Sequence, residues 1–140
     1  MALRRSRPGA PPEPLTRREI GAWGERLAAT WLRRRNCRIL WRNYRPNGGG
    51  EVDLVYRDDD TLVFCEVKTR TREDFGAPSE AVNPEKQTLI IRGAMDWLRR
   101  LDDPELRFRF DVVEVLLEQG KLPRLNRIEN AFTLPDAYHV

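Results

Sequence analysis

Apolar residues fall at Ile20, Trp23, Leu27 and Trp31, the three-to-four spacing of one helical face. Thr16 with Glu19 three positions on has the form of a capping box, so a first helix is predicted from there to about Arg35. Winding the segment at about 100° per residue puts Gly21, Gly24, Ala28 and Leu32 beside the stripe. Two glycines weaken a helix intrinsically, which predicts that something packs close to them. Residues 37–44 then read as a strand, broken by Pro46-Asn47-Gly48-Gly49-Gly50. Two further strands, 51–56 and 62–69, flank Arg57-Asp58-Asp59-Asp60, a hairpin signature. Residues 71–79 read as a loop.

Asn83 as N-cap with Pro84 behind it opens a second helix through Leu89, Ile90, Ala94, Trp97, Leu98 and Leu101, stopped by Asp102-Asp103-Pro104. A fourth strand over 108–117 and a short fifth over 127–134 complete the order α-β-β-β-α-β-(β). That order predicts an α/β fold, a mixed β-sheet flanked by helices. Trp23, Trp31, Trp97, Phe108 and Phe110 are assigned to the core, and the sequence shows no interleaved basic-aromatic platform for single strands. Residues 1–15, rich in proline and arginine, read as a disordered basic arm, leaving 16–140 as one domain.

Composition narrows the classes of function. A chain of 140 residues has the length of a single domain, and 40% hydrophobic with 34% charged residues excludes a wholly disordered one. No apolar run reaches membrane-spanning length and no apolar segment marks the first residues as a secretory signal, so a cytoplasmic location is expected. Cys37 and Cys65 are too few for a disulfide framework or a zinc cluster, and the lone His139 leaves no HExxH site. Charge is divided unevenly: residues 1–45 carry 12 Arg against Glu13, Glu19 and Glu25, while the remainder is net acidic. The basic end suits a polyanion, and the acids further along suggest separate chemistry. Lysine is scarce, at positions 68, 86 and 121.

The hairpin carries that chemistry. Its strands are apolar enough to be covered on both faces, yet Glu51, Asp53, Glu66 and Lys68 interrupt them, and carboxylates seldom sit in such strands unless paired or metal-bound. With Asp59-Asp60 as a two-residue turn, Asp58 faces Thr61 and Asp53 lies opposite Glu66 on one face, with Glu51 opposite Lys68 beside them. Two opposed carboxylates repel; a hard divalent cation relieves this and leaves coordination positions for water and phosphate. An adjacent ammonium can orient that water and offset charge on a phosphoryl transition state, the apparatus of metal-assisted phosphodiester hydrolysis. The competing reading is a salt-bridged quartet at a strand end. Glu25, at the edge of the helix's buried arc, is either a fourth acid reaching over the hairpin or a surface partner of Arg18 or Arg26.

The series Gly21-Ala-Trp-Gly-Glu25-Arg-Leu-Ala28, Gly50-Glu51-Val-Asp53-Leu-Val55 and Val63-Phe-Cys-Glu66-Val-Lys68-Thr-Arg70 resembles the YraN family. So do Phe75-Gly76, Lys86, Arg107-Phe-Arg-Phe-Asp111-Val-Val113 and Asn130-Ala-Phe132, in the same order. That family is assigned to the restriction-endonuclease-like superfamily, close to archaeal Holliday-junction resolvases. The resemblance implies a restriction-endonuclease-like fold and a D-(E/D)-x-K site. It assigns Mg²⁺ (with Mn²⁺ as a substitute) to Asp53, Glu66 and the carbonyl of Val67, sets Lys68 near the attacking water, and makes Glu25 the helix acid. Glu51 is then either a ligand or the partner of one. Arg70, Arg72, Lys86 and Arg42, with Arg33 to Arg35, are candidates for backbone phosphates. Asp111 is expected to be structural, capping or pairing at a strand end.

The leading expectation is a Mg²⁺-dependent endonuclease acting on branched or structured DNA, with a homodimer placing two sites on two strands. The alternative is a catalytically weak or inactive nucleic-acid-binding accessory module on the same fold. A small-molecule phosphohydrolase is disfavoured, because Gly48-Gly49-Gly50 precedes a strand and not a helix.

Overall fold

Thr16 caps the first helix as its sequence requires. In the computed structural model, which describes residues 4–5, 13–72 and 82–138, helix α1 runs Arg17–Arg33. The Thr16 hydroxyl accepts the Glu19 N–H at 3.1 Å and the Glu19 carboxylate accepts the Thr16 N–H at 3.2 Å. The helix buries Gly24, Ala28, Ala29 and Leu32, with Trp23, Leu27 and Trp31 half-buried at the flanks. A Cβ on Gly24 would lie 1.8 Å from Thr69 Oγ1, whereas Gly21 faces open space. Close packing therefore holds at one of the two glycines. Of the N-terminal arm, only 4–5 and 13–15 are described: Arg4–Arg5 (β1) pairs antiparallel with Glu13–Pro14 (β2).

Five strands form the main sheet in the order β3-β4-β5-β6-β7: Arg38–Tyr44, Val52–Asp58, Thr61–Thr71, Arg107–Leu117 and Arg124–Phe132. Neighbours are antiparallel except β5 and β6, which are parallel and joined through α2, Pro84–Leu101. Asn83 caps α2, its side chain accepting the Lys86 N–H at 2.8 Å. The order α-β-β-β-α-β-β is the mixed α/β architecture expected. Helix α1 packs with Leu54, Tyr56, Val63, Cys65, Val113 and Val115; helix α2 packs with Val55, Phe64 and Val112 on the opposite face. Covering on both faces explains the nearly continuous apolar runs of β4 and β5. Of the assigned core aromatics, Phe110 is buried, and Trp23, Trp31, Trp97 and Phe108 pack partly buried against the two clusters. Most of the predicted 71–79 loop, Phe75-Gly76 and His139 lie outside the described residues. Among the described residues no helix is long and apolar enough to cross a membrane.

Two expectations need correction. The fifth strand is present but shifted: β7 begins at Arg124, ends at Phe132 and pairs along β6 from Leu116 to Phe110. Nor does Asp111 sit at a strand end. It lies within β6 beside a register shift, fully buried, and accepts hydrogen bonds from Tyr56 Oη (2.8 Å), Arg109 Nε (2.9 Å) and the Asn130 N–H (3.1 Å). The reason is local. Where β7 slips out of register, the Asn130 N–H needs an acceptor other than a ladder carbonyl, and Asp111 supplies it.

Candidate metal centre at the mouth of the hairpin

The β4–β5 ladder starts at Asp58↔Thr61 and holds the predicted register up to Leu54↔Cys65. Beyond that pair the two strands are no longer joined backbone to backbone. Gly50 (φ +102°) lies so close to α2 that a Cβ there would sit 2.4 Å from the Gly93 nitrogen, and the Glu51 N–H donates to the Leu89 carbonyl at 3.0 Å. The chain entering β4 is thereby drawn onto the helix and away from β5.

Asp53 occupies the mouth this leaves. Buried, it accepts the Val67 N–H on Oδ2 at 2.9 Å, in place of a ladder carbonyl. In a strand, N–H and C=O of one residue point to the same edge, so the Val67 carbonyl faces the same opening. The Glu66 carboxyl lies beside that of Asp53. Burial, then the Asp53 charge, raises Glu66 from its ordinary value of 4.5 to about 8. Its Oε2 is buried and has no hydrogen-bond partner among the described residues. Glu25 arrives from α1, half-buried, with Asn43, Arg42 and Arg45 nearby. Burial and the Asp53 charge raise its pKa too. Glu25 lies close enough to Asp53 to feel its charge, and Gly24 lets α1 close on Thr69 near the end of β5.

The predicted opposition of Glu51 and Lys68 is not made. Glu51 precedes β4; its carboxylate bonds the Lys86 ammonium and lies 3.6 Å from Arg45 Nη1. Those cations, Lys86 first, hold it below the usual carboxylate range. Lys86 Nζ also stands 3.7 Å from Glu66 Oε2, and these carboxylates together raise the pKa of Lys86 against its own burial. The residue assigned to phosphate contact is thus the cation inside the acidic cluster. Its position in the first turn of α2, following a loop that leaves the site, is the signal that pointed toward it. Lys68 is exposed, shares the Glu66 face by strand alternation and makes no ion pair with the described residues. Arg70 is largely covered and lies 3.9 Å from Glu114. Arg72 bonds Glu118 at 2.7 Å but stays 65% exposed, and Arg42 is exposed.

Among the described residues no three His, Cys, Asp or Glu side chains gather as a ready-made metal cage. The donors that do converge are two carboxylates and one carbonyl. Mg²⁺ commonly takes one or two carboxylates and retains water in its other positions, so this set fits it and the orphaned Glu66 oxygen has a use.

Fold and site together define a class: a mixed α/β protein whose central hairpin opens onto an acidic pair, with a helix carboxylate alongside. The chain belongs to the uncharacterised protein family UPF0102, the YraN family, whose model matches residues 24–115. It is 46% identical over 115 residues to a UPF0102 protein of Geobacter sulfurreducens, covering 82% of this chain and 89% of that one. Identity to a UPF0102 protein of Syntrophomonas wolfei is 45%, covering 82% of this chain and 98% of that one. The matched segment contains Glu25, Glu51, Asp53, Glu66, Lys68 and Lys86, but not β7.

Proposed function

We propose that this protein is a metal-dependent endonuclease hydrolysing phosphodiester bonds in branched or structured DNA. One observation carries the reading: two adjacent, largely buried carboxyls, Asp53 and Glu66, one oxygen of which has no hydrogen-bond partner among the described residues. Such a pair is costly to keep for structure alone, since apolar residues would fill the space at lower cost. Asp53, Glu66 and the Val67 carbonyl would hold Mg²⁺ or Mn²⁺, with Glu25 nearby. A bound ion of this kind polarises a phosphate oxygen and makes its bound water more acidic. The chain's own residues do the rest. Val67 N–H fixes Asp53 in place, and Lys68 presents an exposed ammonium, without an ion pair among the described residues, on the Glu66 face, where a phosphate or a water can meet it. Glu51 acts as the anchor of Lys86. Arg42 and Arg72 are open to backbone phosphates, while Arg70 is mostly covered. No base-reading element accompanies them, which favours recognition of shape and backbone.

The second reading, an accessory binding module without cleavage, is favoured by Lys86, whose ammonium already offsets part of the acidic charge. The experiment is a Mg²⁺ and Mn²⁺ titration against labelled linear, single-stranded, flapped and four-way DNA, with Asp53→Asn and Lys68→Ala alongside. Metal-dependent cutting that both variants lose supports the nuclease. Binding without cutting at any metal concentration, insensitive to both variants, supports the accessory module.

A further inference from the structure

Folding assembles an aromatic platform that is not apparent along the chain. A register shift between Ile39 and Trp41 in β3 puts Trp41 opposite Val55, on the face covered by α2. Unshifted, the Ile39↔Tyr56 register would have set it opposite Leu54, on the α1 face. Trp41 nevertheless stays 52% exposed. It meets Tyr44 and Trp97 edge-on, with centroids 6.0 and 6.3 Å away, while Tyr44 and Trp97 are 5.1 Å apart. The three rings line an open cavity of about 440 Å³ together with Arg45, Arg100 and Leu101. It continues into a depression of about 500 Å³ that shares Trp97 and Leu101 and includes Arg38 and Arg57. The Trp97 indole N–H is a buried donor with no acceptor among the described residues.

The mouth of this groove carries exposed guanidinium groups, and the adjoining depression also carries the exposed carboxylate of Asp103. Arg45 and Arg100 are 64% and 70% exposed. Asp96 beside them is already held by Tyr44, Arg99 and Arg100. Arg45 is also the link to the acid pair, since it lies against Glu51, whose other partner Lys86 faces Glu66. Lys86 and Trp97 are on one helix, about 16 Å apart along its axis at 1.5 Å per residue. Aromatic faces between cations, a few nucleotides' length from a phosphodiester site, match the chemistry of an unpaired base on its own backbone.

We infer that the groove formed by Trp41, Tyr44 and Trp97 stacks an unpaired base, so that the substrate is DNA carrying a single-stranded stretch next to the scissile phosphate. This rests on the nuclease reading for the identity of the reaction, and on the groove alone for the binding. The test is metal-free: fluorescence anisotropy of the wild-type chain, Trp41→Ala and Trp41→Phe, in EDTA, with labelled single-stranded oligothymidylate and a blunt duplex of equal length. Trp41→Ala is expected to weaken single-strand binding by about 5- to 150-fold, the range one base–aromatic stack carries. Duplex binding should be unchanged, and Trp41→Phe should retain most single-strand affinity. Unchanged single-strand binding overturns the inference, as does an equal loss for both probes. A change in sedimentation without a change in DNA affinity overturns it in favour of a second copy covering the groove. Because no metal is present, single-strand binding that depends on Trp41 stands even if the wild-type chain cuts nothing. Metal-dependent cutting with indifference to Trp41 removes the groove and leaves the nuclease.

Discussion

Asp111 and Glu66 lie on adjacent parallel strands of one sheet, and both are carboxylates among apolar neighbours. Their surroundings differ in kind. Asp111 is fully buried and takes hydrogen bonds from Tyr56, Arg109 and Asn130, with Arg109 also clamped to Asp58 at 2.8 Å. Glu66 is less deeply buried, yet burial and Asp53 push its carboxyl up to about 8, and its Oε2 has no hydrogen-bond donor among the described residues. Burial alone therefore does not mark a functional acid. What separates the two is the balance of partners: the satisfied carboxylate ties strands together, and the frustrated one keeps an oxygen without a hydrogen bond among the described residues.

The sharpest break of this comparison is to exchange the readouts. Asp53→Asn should reduce metal-dependent cleavage about a hundred- to a thousandfold, the scale of removing one charge-stabilising group. Stability should hold or improve slightly, because a repelling neighbour of Glu66 has gone. Asp111→Ala should do the reverse and lower unfolding free energy by about 3–5 kcal/mol, since it leaves the buried Tyr56 hydroxyl and the Asn130 N–H without their acceptor and Arg109 with Asp58 alone. Urea titrations of both variants, with cleavage measured at equal folded fraction, separate the two outcomes. A stable Asp111→Ala protein, or an Asp53→Asn protein that cuts normally, would erase the distinction.

The next effect is pH-dependent. An unfolded chain gives up the Glu66 proton near 4.5, while the folded chain keeps it until about 8. Between those values the folded state binds more protons, so its stability falls as pH rises, by an amount of the order of a few kcal/mol. Below about 4.5 the contribution is fully present; above about 8 it is gone. Thermal melts of the metal-free chain across this window should show the decline, and Glu66→Gln should flatten it. Saturating Mg²⁺ should oppose the decline, since it binds the ionised pair and displaces a proton.

Much of this was legible in the amino-acid sequence, and for physical reasons. The capping box at Thr16, Pro84 behind Asn83 and the two-residue turn at Asp59-Asp60 are local signals, and each holds in the fold. A period of two carries register across a hairpin, so the pairing as far as Leu54↔Cys65 followed from the turn alone. What escaped depends on contacts between distant segments. Glu51 looked like a member of β4 because nothing in its neighbourhood reveals that Gly50 presses against Gly93. Asp111 looked terminal because the slip in β7 that calls for it lies nineteen residues on. Trp41 gave no sign of exposure, because a bulge shifts which face a side chain takes and leaves composition unchanged.

Lys86 offers the smallest and most discriminating effect. In the metal-free chain its ammonium opposes the elevation of Glu66, standing 3.7 Å from the orphaned oxygen. Replacing it by Met removes that opposition while keeping much of the stem's packing. The Glu66 proton should then persist to higher pH, and the pH midpoint of the stability decline should move up by less than about one pH unit, the scale of a partly exposed ion pair. The direction is the informative part. An upward shift makes Lys86 a counter-ion of the acid pair, whereas a lysine serving only as a contact for DNA phosphates would leave the metal-free midpoint where it was. Salt sharpens the choice. The counter-ion effect persists, weakened, in high salt because both partners are partly buried, while a phosphate contact would show itself only as a shallower salt dependence of DNA binding.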